Sequence, residues 1–257
     1  MGLVRDRSIC LRKTEYSETS QILTLMTRDH GLLRVIAKGA HRRTKAGASK
    51  FDGGADLLDV GDAVFTDGTA KDLATLTEWG LRDGHLELRR SLRGMYLAQY
   101  GAELASLLFE EHDAHPHLFD RLITTISELA TDRLEETFLA FQLDLLREAG
   151  YLPELGHCVE CGRTIGRESV FFSPASGGIV CKNCEAAAPD RLVVDPRLIA
   201  MMQNLLRLPR VSGAAQRLPR LTRHQTDPIN RLLMAHIERT LGRGLRLRDY
   251  IISSRRA

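Results

Sequence analysis

The stretch SICLRKTEYSETSQILTLMTRDHGLLRVIAK, residues 8–38, decides the fold of the N-terminal part of this chain. It contains three short runs, Ser8–Lys13, Gln21–Thr27 and Leu32–Lys38, rich in Ile, Val, Leu and Thr and separated by turn-forming residues. β-branched residues lose little in an extended backbone, and Gly, Asp and Ser allow the reversals between runs. Two further runs, Leu57–Thr66 and Leu73–Leu81, continue the pattern. Five short strands in so short a span predict a small barrel or sandwich, with Gly31, Gly61 and Gly80 as bulge or turn points. Cys10 alternates with apolar neighbours and reads as a buried thiol.

From Ser91 onward the apolar period becomes helical. Leu92, Met95, Tyr96, Gln99, Glu103, Leu104, Leu107 and Leu108 follow helical spacing, with Gln99 and Glu103 interrupting the stripe. A second helix is expected over about 116–131, burying Leu118, Leu122, Ile126 and Leu129. A third, over about 133–149, carries Phe138, Phe141 and Leu145 beside Leu139, Leu143 and Leu146, an apolar surface wide enough for the centre of a bundle. Gly150 supplies its stop. Asp195-Pro196 and Asp227-Pro228 each read as an N-cap followed by proline at the first helical position. The second pair precedes Ile229, Leu232, Leu233, His236, Ile237 and Leu241, and residues 208–222 between the two helices read as a loop.

The composition, 43% hydrophobic and 27% charged, is that of a globular protein, and the length favours two small units. No run approaches the roughly 20 apolar residues that span a bilayer, and the N-terminus resembles neither a signal peptide nor a myristoylation site. A cytoplasmic location is expected. The net charge of +3 conceals a segregation. Residues 34–50 hold six Lys/Arg and no acid, 51–196 hold twelve basic against twenty-six acidic residues, and 197–257 hold thirteen Arg against three acids. Two basic ends around an acidic middle suggest polyanion binding at defined places, the alternative for the C-terminal arginines being simple solvation.

Four of the five cysteines, Cys158, Cys161, Cys181 and Cys184, fall in a C-x2-C-x19-C-x2-C pattern. Two residues between cysteines let a tight turn aim both thiolates at one ion, and two such turns complete a tetrahedron. Strands at Ser169–Phe172 and Gly178–Val180, joined through Ser173–Gly177, bring the second turn back beside the first. Four thiolates leave no open position for water or substrate, so one structural Zn2+ is expected and metal catalysis is not. His157 has no place in a filled shell. A thioredoxin-like redox role is disfavoured by the presence of two pairs and the lack of a βαβ context.

Taken in order, several runs resemble one family along nearly the whole chain. They are ICLRKTEYSETS (9–20), LTLMT (23–27), Gly31-Leu32, VIAKGAHRR (35–43), YGAEL (100–104), FQLDLL (141–146), GYLP (150–153), CVECG (158–162), Phe172-Ser173-Pro174 with Gly177-Gly178, and Cys181. The chain resembles the bacterial DNA repair protein family RecO; the last 60 residues match only loosely. The resemblance implies an α+β chain with an N-terminal OB-fold β-barrel (1–82) and an α-helical domain (83–257) carrying the four-cysteine zinc module at about 157–185. It implies binding of single- and double-stranded DNA, annealing of complementary strands, and work with RecR. Together the two would help the recombinase replace single-strand-binding protein on gapped DNA, near the nucleoid. The C-terminal tail of single-strand-binding protein, received on the helical domain, and RecF are further partners.

The basic run Arg34, Lys38, Arg42, Arg43, Lys45 and Lys50 begins on a strand and passes into a Gly/Ala/Ser-containing loop, which can mould itself to a phosphate backbone. Aromatic residues make up only 5% of the chain, and Phe51 alone adjoins the run, with Trp79 as a second stacking candidate that reads more readily as core. Binding is therefore expected to rest on phosphates, with similar affinity for single and double strands. Arg217, Arg220, Arg223, Arg243, Arg246 and Arg248 extend the DNA track or receive an acidic partner. No nucleotide-phosphate loop occurs and no enzymatic activity is expected. The competing readings are a zinc-dependent hydrolase, for which Glu160, Glu168 and Glu185 are the only acids near the cysteines, and a zinc-ribbon protein that binds RNA or acts in transcription.

Overall fold

The computed structural model describes residues 2–40, 50–51, 54–66, 73–166, 170–208 and 218–252. Two compact units divide the chain, Met1–Asp132 and Arg133–Ala257.

Unit 1 begins with β1 (Leu3–Ser17), β2 (Ser20–Thr27), β3 (Gly31–Ala37), β4 (Val60–Thr66) and β5 (Ala74–Asp83). They close into a barrel in the order β1-β2-β3-β5-β4, with β3 and β5 parallel and the other pairs antiparallel. This is an OB-fold. The barrel closes because β1 pairs on both sides: Leu3–Ile9 against β4, and Ser8–Ser17 against β2. Leu11 is the extra residue of a bulge just past the overlap of these two segments at Ser8 and Ile9, and a bulge bends its strand and increases the local twist. Cys10, Leu23, Leu25, Val35, Ala63, Phe65, Leu76 and Trp79 fill the interior.

Of the three glycines expected at special points, two have physical reasons. Gly31 closes the β2–β3 turn at φ 72°, and a Cβ there would collide with the Asp113 carbonyl oxygen. A Cβ on Gly61 would lie 2.7 Å from the Trp79 indole. Gly80 has open space around it and no left-handed backbone, so its glycine serves neither purpose.

The helices of unit 1 are α1 (Leu92–Leu108) and α2 (Pro116–Glu128). Ser91 caps α1 by accepting from the Gly94 N–H at 3.0 Å. The buried face of α1 differs from the expected stripe. Gly94, Leu97, Ala98, Tyr100, Gly101, Ala102, Leu104, Ala105 and Leu108 are buried, whereas Leu92 is 69% exposed and Gln99 and Glu103 are half-buried. Small residues let the backbone approach its neighbours, as the 2.5 Å from a Cβ on Gly94 to the Leu129 carbonyl oxygen illustrates. The face alternates these small residues with Leu97, Tyr100, Leu104 and Leu108, of which the expected stripe held only Leu104 and Leu108. In α2, Leu118, Leu122 and Ile126, with Leu129 just beyond, are buried as expected.

Unit 2 contains α3 (Leu134–Glu148), β6 (Val170–Ser173), β7 (Gly178–Cys181), β8 (Leu192–Val194), α4 (Pro196–Arg207), α5 (Arg223–Leu241) and α6 (Arg248–Ile251). α3 buries all six of its expected apolar residues and packs against α4 and α5. Gly150, at φ 76°, ends it. Asp195 caps α4, accepting from the Arg197 N–H at 2.9 Å. Asp227-Pro228 does not start α5. Thr222 and Gln225 form a capping box one turn earlier, and Pro228 lies inside the helix. Both pairings of the box satisfy terminal N–H groups, whereas Pro228, so near the start, removes only one backbone bond.

Alanine at Gly31 or Gly61 is expected to destabilise the barrel by about 1–3 kcal/mol through overpacking, with backbone strain added at Gly31. Alanine at Gly80 should stay within about 0.5 kcal/mol of the parent. Denaturant titration of the three variants checks this order.

Candidate metal centre and nucleic-acid interface

The cysteine module is built as two turns held by one hairpin. β6 and β7 pair antiparallel from Val170↔Cys181 to Ser173↔Gly178, turning through Gly177 at φ 74°. β8 adds a third strand beside β6, which the residue pattern alone did not suggest. Glu154 and Val159 bind the other flank: the Glu154 N–H donates to Gly177 at 3.0 Å, and the Val159 N–H donates to Ile179 at 2.9 Å. Gly178 allows this approach, since a Cβ there would meet Val159 at 2.6 Å.

The first pair of cysteines sits on a turn in which the Gly162 N–H donates to the Cys158 carbonyl at 2.8 Å, with Gly162 at φ 72°. Cys181 ends β7, and Cys184 lies in a 3-10 turn over Lys182–Ala187. All four Sγ atoms lie within 4.8 Å of one another, and Cys161 and Cys181 are 3.8 Å apart. Metal–sulfur bonds of about 2.3 Å at the corners of a tetrahedron require sulfurs about 3.8 Å apart. The donor set therefore fits one metal ion. Cys158 and Cys181 are buried, Cys161 is exposed and Cys184 is intermediate.

The thiols are electrostatically unequal. Burial works against ionisation of Cys158, yet the backbone N–H groups of Cys181, Cys161 and Glu160 outweigh it and draw the thiol down to about 6. Cys184 is pushed up to about 12, first by its bonds to Cys181 and Cys161 and then by burial. A cation among the sulfurs displaces such shared protons, which couples metal binding to pH.

His157 is not among the ligands; it faces Glu154 at 3.5 Å. Glu160 accepts from the Ser176 hydroxyl at 3.0 Å and Glu185 pairs with Arg191 at 2.9 Å, while Glu168 lies outside the described residues. One contributor escaped the sequence reading. His236 on α5 sets Nε2 2.9 Å from the Tyr151 carbonyl and Nδ1 3.5 Å from the Pro174 carbonyl, with its ring edge-on to Phe172. It ties the hairpin to the helical part of unit 2. Its place in an apolar stripe gave no sign of this.

On the barrel, Arg34 lies exposed on β3, Lys38 follows that strand and Lys50 precedes Phe51, both also exposed. Arg42, Arg43 and Lys45 lie outside the described residues. The two stacking candidates are buried: Phe51 is 6% exposed and Trp79 is 1% exposed. Both belong to the barrel core, and neither can meet a base.

Of the C-terminal arginines, Arg217 lies outside the described residues. Arg220 precedes α5, Arg223 opens it and faces Asp227 at 3.5 Å, and Arg243 and Arg246 follow its Gly242 cap. Arg248 pairs with Glu238. The acid partners of Arg223 and Arg248 reduce what those two can offer a phosphate.

A family model described as recombination protein O N terminal matches residues 1–85, and one described as recombination protein O C terminal matches residues 89–249. The DNA repair protein RecO of Anaeromyxobacter dehalogenans (strain 2CP-C) is 30% identical over 252 residues, covering 98% of this chain and 96% of that protein. The RecO of Rhodopirellula baltica is 37% identical over 180 residues, 69% of this chain and 65% of that protein. The RecO of Dehalococcoides mccartyi (strain BAV1) is 35% identical over 181 residues, 70% of this chain and 69% of that protein. Matched at both ends by family models and along almost its full length by a relative, the chain belongs to the RecO family of DNA repair and recombination proteins.

Proposed function

We propose that this chain is a non-catalytic mediator of DNA repair. In this reading it binds single- and double-stranded DNA, anneals complementary strands and, with RecR, promotes recombinase loading on DNA coated by single-strand-binding protein. The observation that carries the proposal is an OB barrel, in a chain of the RecO family, whose exposed Arg34, Lys38 and Lys50 flank the basic run. OB-folds bind single strands through basic grooves, and phosphate contacts are blind to sequence. Annealing needs such blindness, because two strands must be neutralised together while their bases stay free to pair. The acidic tail of single-strand-binding protein and RecF are proposed as further partners, and the cytoplasm as the place of work. No helix among the described residues is long and apolar enough to cross a membrane.

The ion is proposed to be Zn2+. Four thiolates suit a borderline-soft cation and fill its shell, so it would hold the hairpin in place and take no part in chemistry. Structural zinc of this kind contributes on the order of 10 kcal/mol to folding of its module.

Metal analysis of the purified chain should give one zinc per molecule. Chelation should expose four reactive thiols and lower the melting temperature of unit 2. The fifth, Cys10, should stay unreactive until the barrel unfolds, because burial and then nearby Asp59 push its thiol up to about 12. If all six basic-run cations meet phosphates on a single strand, log K against log salt should slope about −4. Neutralising Arg42, Arg43 and Lys45 together should reduce that slope by about 2 and slow annealing of DNA oligonucleotides. Unchanged annealing in that variant rejects the site. Annealing of RNA in preference to DNA would favour an RNA-binding role instead.

A further inference from the structure

We propose that Tyr16 stacks on an unpaired base of single-stranded DNA whose path crosses the outer face of β1, β2 and β3 beside Arg12 and Arg34. The inference rests on the DNA-binding reading above and adds a contact that a duplex cannot make.

The register of the sheet provides the geometry. Arg12 lies opposite Thr24, and Thr24 lies opposite Arg34, so the three form one row across three strands. Leu23, Leu25, Leu33 and Val35, the alternate residues on β2 and β3, line the core. The pleat therefore sends the row outward, and both arginines are exposed. At about 4.8 Å per strand, their backbones lie about 10 Å apart. The next outward row is Thr14, Ile22 and Ile36, an uncharged strip with Ile22 and Ile36 half-buried. Lys38 follows two residues after Ile36. An apolar strip bounded by cations matches a polymer of flat bases on an anionic backbone.

The charges on this face remain available. Elsewhere in unit 1, Lys13 pairs with Asp56 at 2.9 Å, Arg28 with Asp120 at 3.0 Å and Arg82 with Asp62 at 2.6 Å. Arg12, Arg34 and Lys38 have no carboxylate partner among the described residues.

Tyr16 lies two residues beyond Thr14, near the end of β1. The pairing shifts from Glu15↔Gln21 to Ser17↔Ser20, so Tyr16 is the extra residue of a bulge, and bulges re-aim side chains. It is 66% exposed, whereas Phe51, Phe65 and Trp79 of the same barrel are at most 6% exposed. An aromatic ring left in water contributes little to the fold. It offers a face to a base, and base–aromatic stacking contributes about 1–3 kcal/mol per base. In a duplex those base faces are covered by neighbouring pairs.

The test is equilibrium binding of the full chain to a labelled single strand and to its duplex, at several salt concentrations. Tyr16→Ala should weaken single-strand binding about 5- to 150-fold, leave duplex binding within about twofold and leave the salt slope unchanged. Tyr16→Phe should retain single-strand binding. Arg12→Gln with Arg34→Gln should weaken both forms and flatten the single-strand slope by about 1.4. Photocrosslinking of the parent chain to an iodouracil-substituted single strand should mark the peptide holding Tyr16, independently of how the variants fold. Equal losses on both DNA forms, no loss in Tyr16→Ala, or crosslinks only elsewhere would overturn the assignment to Tyr16. A parent chain that binds neither form overturns the DNA-binding reading itself, and this inference with it.

Discussion

β1 is asked to pair along both of its edges, and unit 1 depends on its doing so. Its first half completes the ladder of β4 and its second half that of β2, with Ser8 and Ile9 paired on both sides. A straight strand cannot turn from one neighbour to the other. The bulge at Leu11 supplies the bend, and the closed barrel leaves no long unpaired edge. The same bend fixes which residues of the second half face outward. Arg12 and Thr14 are on the outer surface because the register changed just before them, so barrel closure and the proposed DNA face have one cause.

In unit 2 the corresponding constraint is the meeting of four sulfurs. Cys158 and Cys161 come from a turn and Cys181 and Cys184 from the end of a hairpin, so they converge only when β6 and β7 are in register. Gly162, Gly177 and Gly178 make that convergence sterically possible, two by left-handed backbone and one by the closeness of Val159. His236 then carries the arrangement into the helices through two carbonyl oxygens. A fourfold thiolate shell has no coordination site left for a substrate. The proposed metal centre therefore has an architectural role, and the proposed function falls to charge and exposure on the barrel.

Charge segregation along the chain is only a first approximation to charge on the surface. Arg28 and Arg82 are as basic in sequence as Arg34, but each faces a carboxylate across the fold. Arg12 lies outside the conspicuous basic run and yet stands in one row with Arg34. Similarly, Trp79 and Phe51 are adjacent to the basic run or at a strand end, where stacking would be useful, but the barrel takes both into its core. Tyr16 drew no notice in sequence because a single aromatic between Glu15 and Ser17 has no periodicity to mark it.

The sequence by itself determined what rests on local chemistry. The five strands follow from their β-branched runs, the ends of α3 and α4 from Gly150 and Asp195, and the metal site from two C-x2-C turns at ribbon spacing. These signals operate within a few residues. The tertiary structure decided what depends on partners distant in sequence. It rotated the buried face of α1 onto Leu97, Tyr100, Leu104 and Leu108 with Gly94, Ala98, Gly101 and Ala105 between them, because the neighbours that α1 packs against are distant in sequence. It started α5 at Thr222 instead of Asp227, because a capping box satisfies more N–H groups than one proline removes. It set the register that aligns Arg12 with Arg34, since a hydrogen-bonded ladder between strands determines which side chains share a face.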